Sequence, residues 1–215
     1  MNIDKDVDFI LLDMDGTLLD LHYDSHFWLE FIPQQYALKE NLSLAQAKTH
    51  VYALYSHVSG QLSWYCQNYW SKTLGLDISR LQHMTKQKVK CRVDAVIFLE
   101  KMKKADKRLF ILTNAHPNSV ALKMKITGLS HYFEHIISSH DLQVAKEDTC
   151  FWQLLEKDFH VDFSRSLFID DSEKILQVAT DSGVQWVRGI STPDSAIPAQ
   201  TMQGFNTINL FAELF

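Results

Sequence analysis

The chain holds 215 residues, 46% of them hydrophobic and 22% charged, with 7 glycines, 4 prolines and a formal net charge of −5. That length admits one core domain plus a modest insertion, and the composition is that of an ordinary globular protein without long disordered linkers. The mildly acidic balance excludes the basic footprint of a nucleic-acid groove, no apolar run approaches the roughly 18 residues of a membrane-spanning helix, and MNIDKDVD lacks the basic and apolar regions of a secretory signal. Cys66, Cys91 and Cys150 are scattered, with no C-x-x-C pair, so reduced thiols in a cytoplasm are expected.

The first predicted strand is FILL (Phe9–Leu12), which runs straight into Asp13, Met14, Asp15, Gly16 and Thr17. From Leu21 to about Lys86 no strand is visible. Three or four amphipathic helical stretches stand there instead: SHFWLEFIPQQYAL, SLAQAKTHVYALYSHV, LSWYCQNYWSKTLG and DISRLQHMTK. Such a crossover is too long for a single βαβ helix and reads as an inserted helical cap, residues 21–86. After it, the helical pattern AVIFLEKMKKA (95–105) carries Val96, Leu99 and Met102 on one face and lysines on the other. Then follow the strands LFIL (109–112) and HIIS (His135–Ser138), the helix DTCFWQLLEKDF (148–159), the strand SLFI (166–169), the helix SEKILQVATDSG (172–183) and the strand VQWV (184–187). Short, doubly covered apolar strands alternating with helices imply an open parallel sheet with helices on both faces. The class is α/β, with residues 1–20 and 87–215 forming the core.

Two carboxylates at the end of a buried strand are costly unless something pairs with them. An Asp-Gly hairpin explains Asp15 and Gly16 but leaves Asp13 without a purpose and needs a partner strand where the sequence is helical. A calcium loop fails on ligands, because aligning Gly16 to the invariant glycine puts Leu11 and His22 where acids belong. A metal-dependent phosphoryl-transfer site fits, since ligand sites in parallel α/β sheets lie beyond the carboxyl ends of the strands and crowded carboxylates suit Mg²⁺. It demands phosphate ligands, a cation and further acids at the other strand ends. Thr113-Asn114 follows LFIL, Lys146 sits in the loop after HIIS, and Asp170-Asp171 ends SLFI. Each element alone is weak; all of them, in order and at strand ends, are hard to reach by chance.

These motifs resemble the haloacid dehalogenase-like hydrolase superfamily over nearly the whole chain: DMDGT, LTN, the isolated Lys146 and FIDDS match its four motifs. The insert just after the first motif resembles the helical-cap subgroup. The resemblance implies a Rossmann-like core with the first strand in mid-sheet. With LSWYCQNYWSKTLGLDI and AKEDTCFW, the chain resembles the bacterial GMP/IMP nucleotidases. The implied activity is Mg²⁺-dependent hydrolysis of a purine nucleoside 5′-monophosphate through an aspartyl phosphate. Asp13 would be the nucleophile and Asp15 the general acid and base. Thr113, the Asn114 amide and Lys146 would hold phosphate. Asp13, the Asp15 carbonyl and Asp171 would ligate Mg²⁺, with Asp170 beside them. The alternatives are a phosphatase or phosphomutase for another small phosphomonoester, such as a sugar phosphate, and, more remotely, an inactive binding module. No nucleic-acid or membrane partner is expected. Lys146-Glu147 departs from the superfamily's more usual lysine-proline, which bears on the shape of that loop.

Six of the seven tyrosines and three of the five tryptophans lie in the insert. Trp28, Tyr65, Tyr69 or Trp70 could stack a purine, although packing of the helices against each other is the stronger expectation for any one of them. Gln67 and Asn68 could read base edges or lie at the surface. His22, Tyr23 and Asp24 are expected at the rim of the site. KQKVKCR (86–92) reads as a solvated helix end or linker, or as a lure for anionic substrate. His116 reads as either a helix cap or a group facing the site.

Overall fold

The computed structural model describes residues 3–215; Met1 and Asn2, which open both the N-terminal core segment and the stretch MNIDKDVD, lie outside them. Among the described residues, six parallel strands form one sheet in the order β3-β2-β1-β4-β5-β6. They are β1 (Phe9–Leu12), β2 (Arg108–Thr113), β3 (His135–Ser138), β4 (Ser166–Asp170), β5 (Trp186–Ile190) and β6 (Thr207–Ile208). The first strand therefore lies inside the sheet, as expected.

Alternation along the strands divides the core into two layers. Ile10, Leu12, Leu109, Ile111, Leu167 and Ile169 face one cluster with Phe98, Leu99 and Met102. Phe9, Leu11, Phe110, Leu112 and Phe168 face the other, with Phe151, Trp152, Leu155 and Leu176. With both faces covered, an apolar run is what a central strand requires.

The helices are α1 (Ile3–Asp6), α2 (His22–His26), α3 (Ile32–Glu40), α4 (Leu44–Val58), α5 (Gln67–Leu74), α6 (Ile78–Thr85), α7 (Ala95–Lys104), α8 (Pro117–Thr127), α9 (Ser139–Leu142), α10 (Thr149–Phe159) and α11 (Glu173–Asp181). A π-helical turn, Phe27–Phe31, runs between α2 and α3. Helix α4 starts on a full capping box from Ser43 and Gln46. The helices between residues 22 and 85 build their own apolar cluster from Phe27, Ile32, Val51, Tyr55, Trp70, Leu74 and Ile78. The two chain crossings into and out of this layer are hydrogen-bonded side by side: Asp20 N–H donates to Lys90 O (3.0 Å) and Arg92 N–H to Leu18 O (2.9 Å).

Three expectations shift. The fifth strand begins at Trp186, not Val184, because Val184 N–H still closes the end of α11 on Ala179 O (3.1 Å). The buried face of α7 is Ala95, Phe98, Leu99 and Met102, whereas Val96 is 38% exposed. KQKVKCR is a solvated helix end only in its first part, where Lys86, Gln87 and Lys88 are exposed just after α6; beyond it Cys91 bridges Leu19, and the Arg92 guanidinium donates to the carbonyls of Thr192 and Asn209.

Candidate active site

Strand register brings the expected residues together. Leu12 lies level with Ile111 on β2 and with Ile169 on β4. One residue further along, Asp13, Leu112 and Asp170 therefore stand abreast. The Lys146 ammonium binds all three, donating to Asp13 Oδ1 (2.5 Å), Asp170 Oδ2 (2.8 Å) and Leu112 O (3.0 Å). A lysine has three N–H donors, so every one is engaged. Trp152 Nε1–H holds the Lys146 carbonyl (3.0 Å), and the Asn114 side-chain carbonyl takes the Lys146 N–H (2.9 Å).

Gly16 permits the turn after Asp15, with φ at +88°, and its lack of a side chain leaves room for the Asp171 carboxylate, whose Cγ would lie 2.6 Å from an added Cβ. Both Asp170 oxygens are occupied, one by Lys146 and one by the Ser172 N–H (2.8 Å). Thr113, 2% exposed, accepts from the Ala115 N–H (3.1 Å), so its own hydroxyl proton is free to be donated.

The charges do not balance internally. Burial pushes the Asp13 carboxyl up to about 7, with Asp170 and Asp15 adding repulsion against the pull of Lys146. Burial likewise raises Asp170, and raises Asp171 well above its ordinary value with help from Asp170 and Asp13. Burial alone would lower Lys146, but the Asp13 and Asp170 charges overcome it and hold the ammonium charged. Three acids thus share one cation, a donor set of hard oxygens that fits a divalent cation. Among the described residues no three His, Cys, Asp or Glu side chains form a self-sufficient metal cluster. A cation here would rest on two carboxylates and a backbone carbonyl, with water and substrate oxygens completing the shell, as is usual for Mg²⁺.

Above the acids lies a cavity of about 400 Å³. Its floor includes Asp13, Asp15, Thr113, Asn114, Lys146, Asp170 and Asp171, and its far wall Trp28, Tyr55, Trp64, Tyr65 and Trp70. The insert's aromatics pack against each other, and several also border the cavity: Trp70 is 1% exposed and packs edge-on to Tyr55, Trp64 and Tyr69, yet it lines the cavity as well. Tyr69 is absent from the wall. Asp24 and His116 line the cavity; His116 also caps α8 and meets Asn68 Nδ2 at 3.4 Å. Gln67 is buried and donates to Gln82. Two rim expectations fail: Tyr23 is 2% exposed within the core cluster, and His22 turns to Asp194 at 3.4 Å.

Two sets of contacts escaped the sequence. Glu147 ties the helical layer to the sheet: one oxygen accepts from Tyr65 OH (2.7 Å) and the other from Asn114 Nδ2 (2.8 Å). Lys123, in the middle of α8, is 1% exposed and donates to Asp15 Oδ1 (2.8 Å) and to both Asp24 oxygens (2.7 and 2.8 Å).

A parallel sheet with acids and a buried ammonium at its carboxyl ends, opening on a walled cavity, defines an α/β enzyme. The haloacid dehalogenase-like hydrolase family model matches residues 7–183, and the chain belongs to that family. It is 37% identical over 210 residues to the GMP/IMP nucleotidase YrfG of Escherichia coli (strain K12), covering 98% of this chain and 95% of that protein; the same holds for YrfG of Shigella flexneri. The fold is shared with a HAD phosphatase from Thermococcus onnurineus (TM-score 0.81, 21% identity, 97% and 96% of the two chains). It is also shared with a predicted phosphoglycolate phosphatase from Haemophilus somnus (TM-score 0.72, 17% identity, 98% and 97%).

Proposed function

We propose that the protein is a Mg²⁺-dependent 5′-nucleotidase that releases phosphate from purine nucleoside monophosphates, GMP and IMP foremost, through an aspartyl phosphate on Asp13. In this reading residues 1–20 and 87–215 are the catalytic core and residues 21–86 the cap, and the reaction belongs to a reducing cytoplasm. The observation that carries it is the buried Asp13, held through one oxygen by Lys146 at 2.5 Å and opening on an aromatic-walled cavity. Near full-length similarity to a nucleotidase favours the nucleotide substrate.

Asp13 Oδ1 is held by Lys146, so Oδ2 is the oxygen that attacks phosphorus. As the Asp13–phosphorus bond forms, the bond from phosphorus to the ribose 5′-oxygen breaks, and Asp15 delivers a proton to that oxygen. Asp15 then takes a proton from water, whose oxygen attacks phosphorus and frees Asp13. The Thr113 hydroxyl and the Asn114 N–H hold phosphoryl oxygens. Lys146 has no spare N–H, so it acts on the phosphate by charge. Asp13, the Asp15 carbonyl and Asp171 would hold Mg²⁺, which would neutralise phosphoryl charge; Asp170, with both oxygens engaged, orients Lys146.

Phosphate release with Mg²⁺ is measured against GMP, IMP, AMP, pyrimidine nucleotides and sugar phosphates. Preference for GMP and IMP over AMP is expected, with loss of turnover in a folded Asp13→Asn protein. Indifference to the base overturns the purine assignment, and an active Asp13→Asn overturns the mechanism.

A further inference from the structure

Two buried ammonium groups serve this site, one for each acid of the Asp13-Met14-Asp15 stretch. Lys146 serves Asp13. Lys123 serves Asp15, and it comes from a different element. Helix α8 begins four residues after Thr113, packs against α6 at the end of the helical layer, and reaches Asp24 at its start through Lys123. Its sixth to eighth residues, Leu122, Lys123 and Met124, are all buried. The Lys123 ammonium lies 2.7–2.8 Å from three carboxylate oxygens and 5.3 Å from the centre of the Tyr23 ring. A charge so enclosed is retained only where its partners are held in good geometry.

Asp15 needs such a partner. It lies beyond the end of β1, beside Gly16, and among the described residues Lys123 is the cation that holds its carboxylate. Lys123 takes only Oδ1, which leaves Oδ2 to carry and pass the proton. Asp24, on α2, occupies the rest of the ammonium through both of its oxygens.

We propose that Lys123 is a positioning residue: it fixes the Asp15 carboxylate so that a proton reaches the departing oxygen of an alkyl phosphate ester, and Asp24 anchors it to the entry of the helical layer. This rests on the role given to Asp15 above. Its signature is a dependence on the leaving group. An alkoxide must be protonated as it leaves, whereas p-nitrophenolate leaves without help. The parameter kcat/KM ends at departure of the leaving group and so isolates this step from the later attack of water.

The experiment compares kcat/KM for GMP and for p-nitrophenyl phosphate in the wild-type enzyme, Lys123→Met and Asp15→Asn, with unfolding midpoints measured alongside. General acid catalysis contributes about 10²–10⁴-fold, so Lys123→Met is expected to lose about 10²-fold on GMP and less than about 5-fold on p-nitrophenyl phosphate. Equal losses on the two substrates, or no loss on either, overturn the inference. If Lys123→Met does not fold, the double variant Lys123→Met/Asp24→Asn, which removes the buried charges together, is read by the same criterion. Asp15→Asn separates the two failures. A split in Asp15→Asn without one in Lys123→Met sinks only the positioning role. No split in Asp15→Asn sinks the acid role itself.

Discussion

Replacing Lys146 by methionine removes the one cation that, among the described residues, touches Asp13 and Asp170. Methionine keeps much of the volume, so the effect is electrostatic. Three hydrogen bonds vanish, at 2.5, 2.8 and 3.0 Å, and the two side-chain partners are 6% and 1% exposed. Breaking a buried pair from one side costs about 3–5 kcal/mol, since the carboxylates stay behind unpaired. For a chain of this length that lowers the unfolding midpoint by about 6–20 °C, at about 2–4 °C per kcal/mol. The assay is thermal and urea unfolding of metal-free protein at pH 7, with Asp170→Asn and the double variant completing a cycle. Losing Lys146 is expected to cost about 1–3 kcal/mol less in the Asp170→Asn background, as for contacting residues. A loss under about 1 kcal/mol, the size of an exposed ion pair, would refute the idea that this ammonium neutralises a buried acidic cluster.

Stability without metal should depend on pH in a definite direction. Asp13 titrates near 7 in the folded protein against an ordinary value of 3.8, so the folded state binds the extra proton and stability falls as pH rises from about 4 to about 7. Asp24, also raised to about 7 by burial and Asp15, adds to the slope. Saturating Mg²⁺ should flatten the Asp13 part; unfolding midpoints in chelator and in Mg²⁺ at pH 5, 6, 7 and 8 test this, and identical curves would remove the reason for placing a cation there. Gly16→Ala should be damaging twice over, because φ is +88° and the new Cβ meets the Asp171 carboxylate. Its Mg²⁺ requirement for activity should rise about 10–100-fold, and a Mg²⁺ titration matching wild type would contradict the metal role of Asp171.

The acids, Thr113 and Lys146 could be read from the chain because each follows a strand whose apolar run is unmistakable, and a parallel sheet puts every such end on one edge. Lys123 could not. Helix α8 is buried around much of its circumference, with Val120, Leu122, Lys123 and Met124 all enclosed, so it lacks the contrast of faces that marks a helix in sequence. Glu147 was visible as an oddity, but its partner Tyr65 lies 82 residues away, and no local pattern joins them. Tyr23 was misjudged because nearness to the motif in sequence says nothing about the direction of its side chain. Strand β6, two residues long, carries no period at all.

The row formed by Asp13, Leu112 and Asp170 bears on how the molecule assembles. Lys146 can satisfy its three donors only when β1, β2 and β4 have met in one register, since each strand contributes one acceptor at the same level. A slip that brings Leu12 to the level of Asp13, or Ile169 to that of Asp170, would set a buried ammonium against an apolar side chain. The candidate site is thus tied to strand register: a sheet paired out of register here leaves the Lys146 ammonium short of acceptors.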